Sequence, residues 1–251
     1  MRLPLVLLLA AAALTGCGDA TSDGSDDVRL RVSAATSLKV AFTAYGPALR
    51  GADVSFSFAG SDQLAGQIRS GVRPDVFAAA NAELPQALHA EGLVERPVAF
   101  ARNRLVLAVP ADGSRVTDVG DLDAPGVRLA IGAQGVPIGD YARAVIGRLG
   151  PASAAAILAR VRSEEPDVGG IVGKVAAGAV DAGFVYATDV KAAGGRLRAL
   201  ALPDRLQPEV VYAAAVVRGA SQPAAGRAFI SGLRGGAGAA ALRSAGFLPV
   251  P

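Results

Sequence analysis

From Val28 onward the chain alternates short β-forming runs with segments whose apolar residues recur every three or four positions. "VRLRVSAA" reads as a strand, and "SLKVAFTAYGPAL" as a helix with Leu38, Ala41, Phe42, Tyr45 and Leu49 on one face. "VSFSFAG" is a strand before a helix carrying Leu64 and Ile68, and "PDVFAAAN" a strand before the helix "AELPQALHAEGL". "NRLVLAVP" and "VRLAIGA" are strands, and "IGDYARAVIGRL" is a helix with Tyr141, Val145 and Leu149 in register. The short strand "RVRSEE", the helix "DVGGIVGKVAAG" and the strand "AGFVYAT" follow, then the strand "VVYAAAVV" and C-terminal helices. Few architectures accept this alternation: it demands parallel-rich sheets covered by helices, an α/β fold. In such sheets a ligand sits beyond the carboxyl ends of the strands, where helices begin.

At 251 residues the chain is long enough for one large domain or two small lobes. The first segment lies outside that fold. "MRLPLVLLLAAAALTGC" holds one basic residue, Arg2, an apolar run too short to span a membrane, and then small residues, the pattern of a secretory signal over residues 1–16. Its end, Leu14-Thr15-Gly16-Cys17, resembles a bacterial lipobox, which implies cleavage before Cys17 and lipid on its sulfur. Cys17 is the sole cysteine, so no internal disulfide forms and stability rests on packing. Residues 17–27 are a polar tether rich in aspartate. Without Arg2 and the four tether aspartates the remaining charge is +6, scattered rather than clustered. No basic stripe with interleaved aromatics occurs, which argues against nucleic acid.

Five junctions stand out. Ser37 in "AATSL" and Ser61 in "AGSDQL" are placed to cap helices, with Gly60 allowing a tight turn. In "GVPIGDY", Pro137 suits a first helical turn, and Ile138 and Gly139 supply bare amides. In "EPDVGGI", Asp167 is a natural N-cap followed by Val168, and "FVYATD" puts Tyr186 at the end of a β-run. Each taken singly is an ordinary cap or core residue. Together they offer several helix N-termini, whose unpaired N–H groups and partial positive charge bind anions without lysine or arginine. The aspartates near these junctions (Asp62, Asp140, Asp167 and Asp189) are expected to turn their oxygens onto backbone amides.

Catalytic readings find little support. The one histidine, His89, falls on a solvated helix face, so no zinc site or Cys-His pair can form. "GGIVGKV" departs from a P-loop at Val168 and Val175.

The order "AATSL … FAGSDQLAGQIRSGVRPDVFAAAN … NRLVLAVP … VPIGDYA … PDVGGI … GFVYATD" resembles the molybdate-binding proteins of bacterial ABC importers, over roughly 28–251. The resemblance implies a two-lobed type II periplasmic binding fold, with a parallel-rich sheet in each lobe and a two-strand hinge. It implies lobes at 28–103 plus 213–251 and at 104–212, joined near "NRLVLAVP" and "VVYAAAVV". A tetrahedral molybdate or tungstate would lie between them, held by Ser37, Ser61, the amides near Ile138 and Val168, and Tyr186. The metal of that oxyanion would be reached only through its oxygens, and no cofactor is implied. The implied partners are a membrane permease and its ATPase, met by a monomer tethered outside the cytoplasmic membrane. Thr36 and Ile138 depart from the family pattern, where alanine is expected, and the bulk of Ile138 bears on the helix start. Sulfate, phosphate or an organic anion in the same fold, or a ligand-presenting sensor, remain alternatives.

Overall fold

The computed structural model describes residues 28–251; the signal segment, Cys17 and the tether lie outside the described residues. The described residues form two five-stranded sheets. The first contains β1 (Val28–Ala35), β2 (Ala52–Ala59), β3 (Val76–Ala79), β4 (Val98–Asn103) and β10 (Val210–Val216), in the order β2-β1-β3-β10-β4. The second contains β5 (Leu105–Pro110), β6 (Leu129–Gly132), β7 (Val161–Glu165), β8 (Ala182–Tyr186) and β9 (Leu197–Ala201), in the order β7-β6-β8-β5-β9.

The two orders follow one plan. In each sheet three neighbouring strands are parallel, and the fourth position holds the only reversed strand. That reversed strand is the one that has just arrived from the other sheet: β5 after the crossing at Arg104, and β10 after the return through 202–209. The central strands β3, β6 and β8 are buried along their whole length, as their unbroken apolar sequences require, while edge strand β2 alternates.

Helices cover both sheets. Those that matter for the site are α1 (Lys39–Tyr45), α2 (Ser61–Arg69), α4 (Pro137–Gly147), α6 (Val168–Ala176) and α7 (Ala187–Ala192). Between them in sequence lie α3 (Glu83–Ala90) and α5 (Pro151–Leu158), and the chain ends in α8 (Pro223–Arg234) and α9 (Gly236–Ala245). Sequence periodicity does not single out β4, β9, α5 or α7. The segments are short, and "NRLVLAVP" reads as one strand where the chain breaks at Arg104 and changes sheet.

A buried carboxylate ties the first sheet to the C-terminal helices. Asp75 has no exposure, yet its oxygens accept from Arg31 N–H (2.8 Å), Gln222 N–H (2.8 Å) and the Ser221 hydroxyl (3.1 Å). Four donors at hand, counting the Arg31 guanidinium at 3.9 Å, allow a charge to sit there. Among the described residues no helix is long and apolar enough to cross a membrane.

Candidate functional site

Every parallel strand that ends in the cleft delivers a helix start to it. β1 leads into a short 3-10 turn (Thr36–Leu38), β2 into α2, β6 into α4, β7 into α6, and β8 ends on Tyr186. These ends converge on one small cavity of about 20 Å³, large enough for a compact guest and too small for an extended one. Ser37, Ser61, Ile138, Val168 and Tyr186 all line it, together with Thr36, Gly60, Ala80, Pro137 and Asp167. The sequence junctions are therefore brought together in space, with contributions from both sheets.

The serines do not cap their helices. The N-cap positions are Ala35 and Gly60, neither gives a side-chain cap, and each serine stands inside its helical turn. Their hydroxyls are used elsewhere. Ser61 Oγ accepts the N–H of Ala80 at 3.1 Å, and Ser37 Oγ lies 2.9 Å from the Tyr212 hydroxyl. Both serines are buried. Asp167 does cap as expected: its Oδ1 accepts Gly169 N–H at 2.6 Å, leaving the Val168 amide in front of it. α4 begins with Pro137 and has no side-chain cap, so the Ile138 and Gly139 amides are first-turn groups without intrahelical partners.

Ile138 does not displace that helix start. Its Cγ2 packs toward Gly132, where an added β-carbon would lie 2.7 Å away, and the side chain is buried. Gly132 and Gly139 face each other so closely that neither tolerates a side chain, which lets α4 begin directly on the end of β6. Thr36 lies on the cavity wall.

Tyr186 is 1% exposed, and its hydroxyl has no hydrogen-bond partner among the described residues. Burial holds the phenol well above its ordinary pKa, with Tyr212 and Tyr141 adding to the effect, so it stays a donor. Its ring lies edge-on between those two tyrosines, at 5.7 Å and 6.4 Å between centroids. Its backbone is fixed by Asp189, whose Oδ2 accepts Tyr186 N–H at 3.0 Å. Burial, seconded by the charge of Asp167, pushes the Asp189 carboxyl up to about 7.

Two expectations about the start of α2 are corrected. Gly60 has φ −59° and ψ 138°, which any residue adopts, so no tight turn requires it. The requirement comes from across the cleft: the carbonyl oxygen of Pro166 lies where a β-carbon on Gly60 would be. Asp62 meets the expectation only in part: the backbone N–H groups of Gln63 and of Asp62 itself hold its pKa down, but one oxygen is left over. Oδ1 is buried without a partner, and burial, with Asp140 and Asp167 opposite, raises its pKa. By contrast Asp140 accepts Gly135 N–H at 2.9 Å. His89 is exposed, its Nδ1 lying 3.1 Å from the Val94 carbonyl.

The cavity thus presents hydroxyls and amides, with one carboxylate, Asp167, whose Oδ1 caps α6. Such a wall suits a small anion that accepts hydrogen bonds and donates none. Sequence reasoning missed Tyr212 and Ala80, the partners that orient the serines, because both lie within uniformly apolar β-runs.

The family described as bacterial extracellular solute-binding protein matches residues 30–248. The molybdate-binding protein ModA of Mycobacterium tuberculosis is 32% identical over 255 aligned positions, covering 97% of this chain and 95% of that protein. Among solved structures, the periplasmic molybdate-binding protein of Azotobacter vinelandii superposes with a TM-score of 0.79 at 24% identity, covering 88% of this chain and 99% of the other. The sulfate-binding protein SubI of Mycobacterium tuberculosis gives 0.79 at 17% identity, over 89% and 87% of the two chains.

Proposed function

We propose a cargo and a mode of action on the premise that the chain belongs to the bacterial extracellular solute-binding proteins, in the family of the molybdate-binding proteins. The protein binds molybdate outside the cytoplasm and delivers it to the permease and ATPase of an ABC importer. It performs no covalent chemistry. Tungstate, with the same charge and shape, is bound by the same groups. Cys17 carries a lipid that holds a monomer at the outer face of the cytoplasmic membrane, after loss of residues 1–16. The lobes are 28–103 with 210–251, and 104–209. This moves the second boundary ahead of β10, whose first residue, Val210, pairs with Asn103 of the first sheet.

The observation that carries this reading is the donor character of the cavity. Ser61 already accepts from an amide, so its own proton is free to point inward; Tyr186 has a proton and no acceptor; the Ile138 and Val168 amides open helices. Molybdate is a fully deprotonated dianion at neutral pH and accepts from all of them. Hydrogen bonds to a charged group contribute about 1.5–3 kcal/mol each, so five or six supply roughly 8–18 kcal/mol before desolvation and closure. Micromolar to nanomolar binding needs about 8–12 kcal/mol. A phosphate that keeps a proton requires an acceptor, and the one carboxylate lining the cavity, Asp167, has Oδ1 committed to Gly169 N–H and only Oδ2 to offer.

The test is the melting temperature of residues 28–251, which hold both sheets complete, with molybdate, tungstate, sulfate and phosphate in turn. Ligand at a hundredfold over its Kd adds about 2.7 kcal/mol of stability. A shift with molybdate and tungstate is expected. A shift with sulfate or phosphate alone would replace the cargo, and none with any of the four would remove the oxyanion reading.

A further inference from the structure

Both cavity serines meet a second polar group behind them, and the two cases differ in one respect. Behind Ser61 stands the backbone N–H of Ala80, which can only donate. Behind Ser37 stands the hydroxyl of Tyr212, where either oxygen can be the donor. The surroundings of Tyr212 decide the direction. The residue has no exposure, and its ring is clamped edge-on by Phe100, Tyr186 and Phe247 at 6.3, 5.7 and 5.2 Å. The amide of Asn103 beside it cannot serve as acceptor. Its Oδ1 takes Arg104 N–H at 2.9 Å, which leaves Nδ2 to face inward and donate to Thr188 Oγ1 at 2.9 Å. The Tyr186 hydroxyl, the other oxygen near it, stands on the donor side of its contact with Tyr212 and has no hydrogen bond of normal geometry. Ser37 Oγ, at 2.9 Å, is then the acceptor left for the phenolic proton, and a phenol that donated nowhere would be a buried, unpaired donor.

We propose that Tyr212 is a positioning residue: it donates to Ser37 Oγ, which turns the Ser37 proton into the cavity and fixes this serine, like Ser61, as a donor to the bound anion. The arrangement rests on the oxyanion reading above and deepens it. With each serine oxygen already accepting once, an anion that carries a proton finds at most one remaining lone pair on either hydroxyl, while both serine protons are aimed at it. Selection for full deprotonation is thus built one layer behind the residues that touch the ligand.

The test is a double-variant cycle read by calorimetric titration with molybdate. Tyr212→Phe removes one oxygen and keeps the ring. It should weaken molybdate about tenfold in the native background and less than twofold in a Ser37→Ala background, because the relay ends at Ser37. The ratio of molybdate to phosphate affinity should fall as well, since the freed Ser37 oxygen can now accept. An undiminished loss in the Ser37→Ala background would mean Tyr212 matters only for packing and would overturn the proposal. Native affinity in Tyr212→Phe would overturn it too. Failure of the native protein to bind molybdate would instead overturn the oxyanion reading, and this inference with it. If Tyr212→Phe does not fold, tyrosine labelled with 13C at Cζ gives four lines from the four tyrosines, assigned through the other three positions. The Tyr212 line should move in Ser37→Ala, and a fixed line would refute the bond.

Discussion

Replacing Gly60 by alanine separates folding from closure. The backbone at Gly60 is ordinary for alanine, so the substitution stores no conformational strain in the first lobe. Its β-carbon would nevertheless fall within van der Waals overlap of the Pro166 carbonyl oxygen and 2.7 Å from Asp62 Oδ1. Asp62 can rotate away, while Pro166 is backbone that leads into the α6 start and cannot move without taking the Val168 amide with it. Relief therefore requires the lobes to stay apart by about 1 Å, the amount by which the contact is too short. At that separation one or two hydrogen bonds from the second lobe to the anion are lost, at about 1.5–3 kcal/mol each. The expected result is roughly a ten- to ten-thousandfold loss of molybdate affinity, with the ligand-free melting temperature within about 2–3 °C of native, since about 1 kcal/mol corresponds to 2–4 °C at this size. Titration calorimetry and a melt without ligand read the two quantities. Native affinity would show that the cleft binds without this approach. A large fall in the ligand-free melt would show that Gly60 serves the first lobe alone. Either result refutes the reasoning.

Further expectations follow from single contacts. Ser61→Ala should weaken molybdate about ten- to a hundredfold, and leave the Ala80 amide without its acceptor, visible as faster exchange of that amide. Asp75→Ala strands the Arg31 and Gln222 amides and should cost about 3–5 kcal/mol in denaturant unfolding without altering affinity in the folded protein. Asp189, raised to about 7, holds a proton in the folded protein that the unfolded chain releases near its ordinary 3.8, so its contribution makes stability fall as pH rises between about 4 and 7 and level off above. Asp167 faces this group, and Lys39, Lys191 and Arg196 line the pocket beside it. Asp189→Asn keeps an acceptor for Tyr186 N–H and removes the titration. Its unfolding free energy should match the native one at pH 4 and exceed it by pH 8, by at most about 4 kcal/mol; parallel curves would exclude Asp189 as the source.

What the sequence discloses here is local, and what it hides is set by distance along the chain. The alternation of β-runs and helical patterns leads to the right fold class because each strand and helix carries its own period. The helix starts at Ser61, Pro137 and Val168 are legible for the same reason: a breaker and a small or polar residue announce them. The serines show where such reading stops. Ser37 and Ser61 look like caps because the usual partner of a serine at that point is two or three residues ahead. Their actual partners are Tyr212, 175 residues away, and Ala80, 19 residues away. Gly60 is misread in the same manner, since a tight turn is a local cause and the Pro166 carbonyl is a remote one.

The same contacts bear on why closure and binding belong together. With the Pro166 carbonyl against Gly60 as it is here, the Tyr186 hydroxyl is buried without a hydrogen-bond partner of normal geometry, and three carboxylates, Asp62 from one side and Asp140 and Asp167 from the other, are close enough to raise the pKa of the first. Each feature opposes closing on an empty cavity: an unpaired buried donor costs about 1–3 kcal/mol, and like charges brought out of water add to it. In the proposed site an anion at the helix starts would reverse the first term by accepting from Tyr186, the serines and the amides at once. It cannot reverse the second, since it brings negative charge itself. Closure is therefore favourable only when the donors are all satisfied, and a ligand that leaves one of them unpaired forfeits more than a single hydrogen bond. On the proposed reading, selectivity would come from the coupling: the lobes would meet fully around an anion that accepts on every side, and remain apart around one that does not.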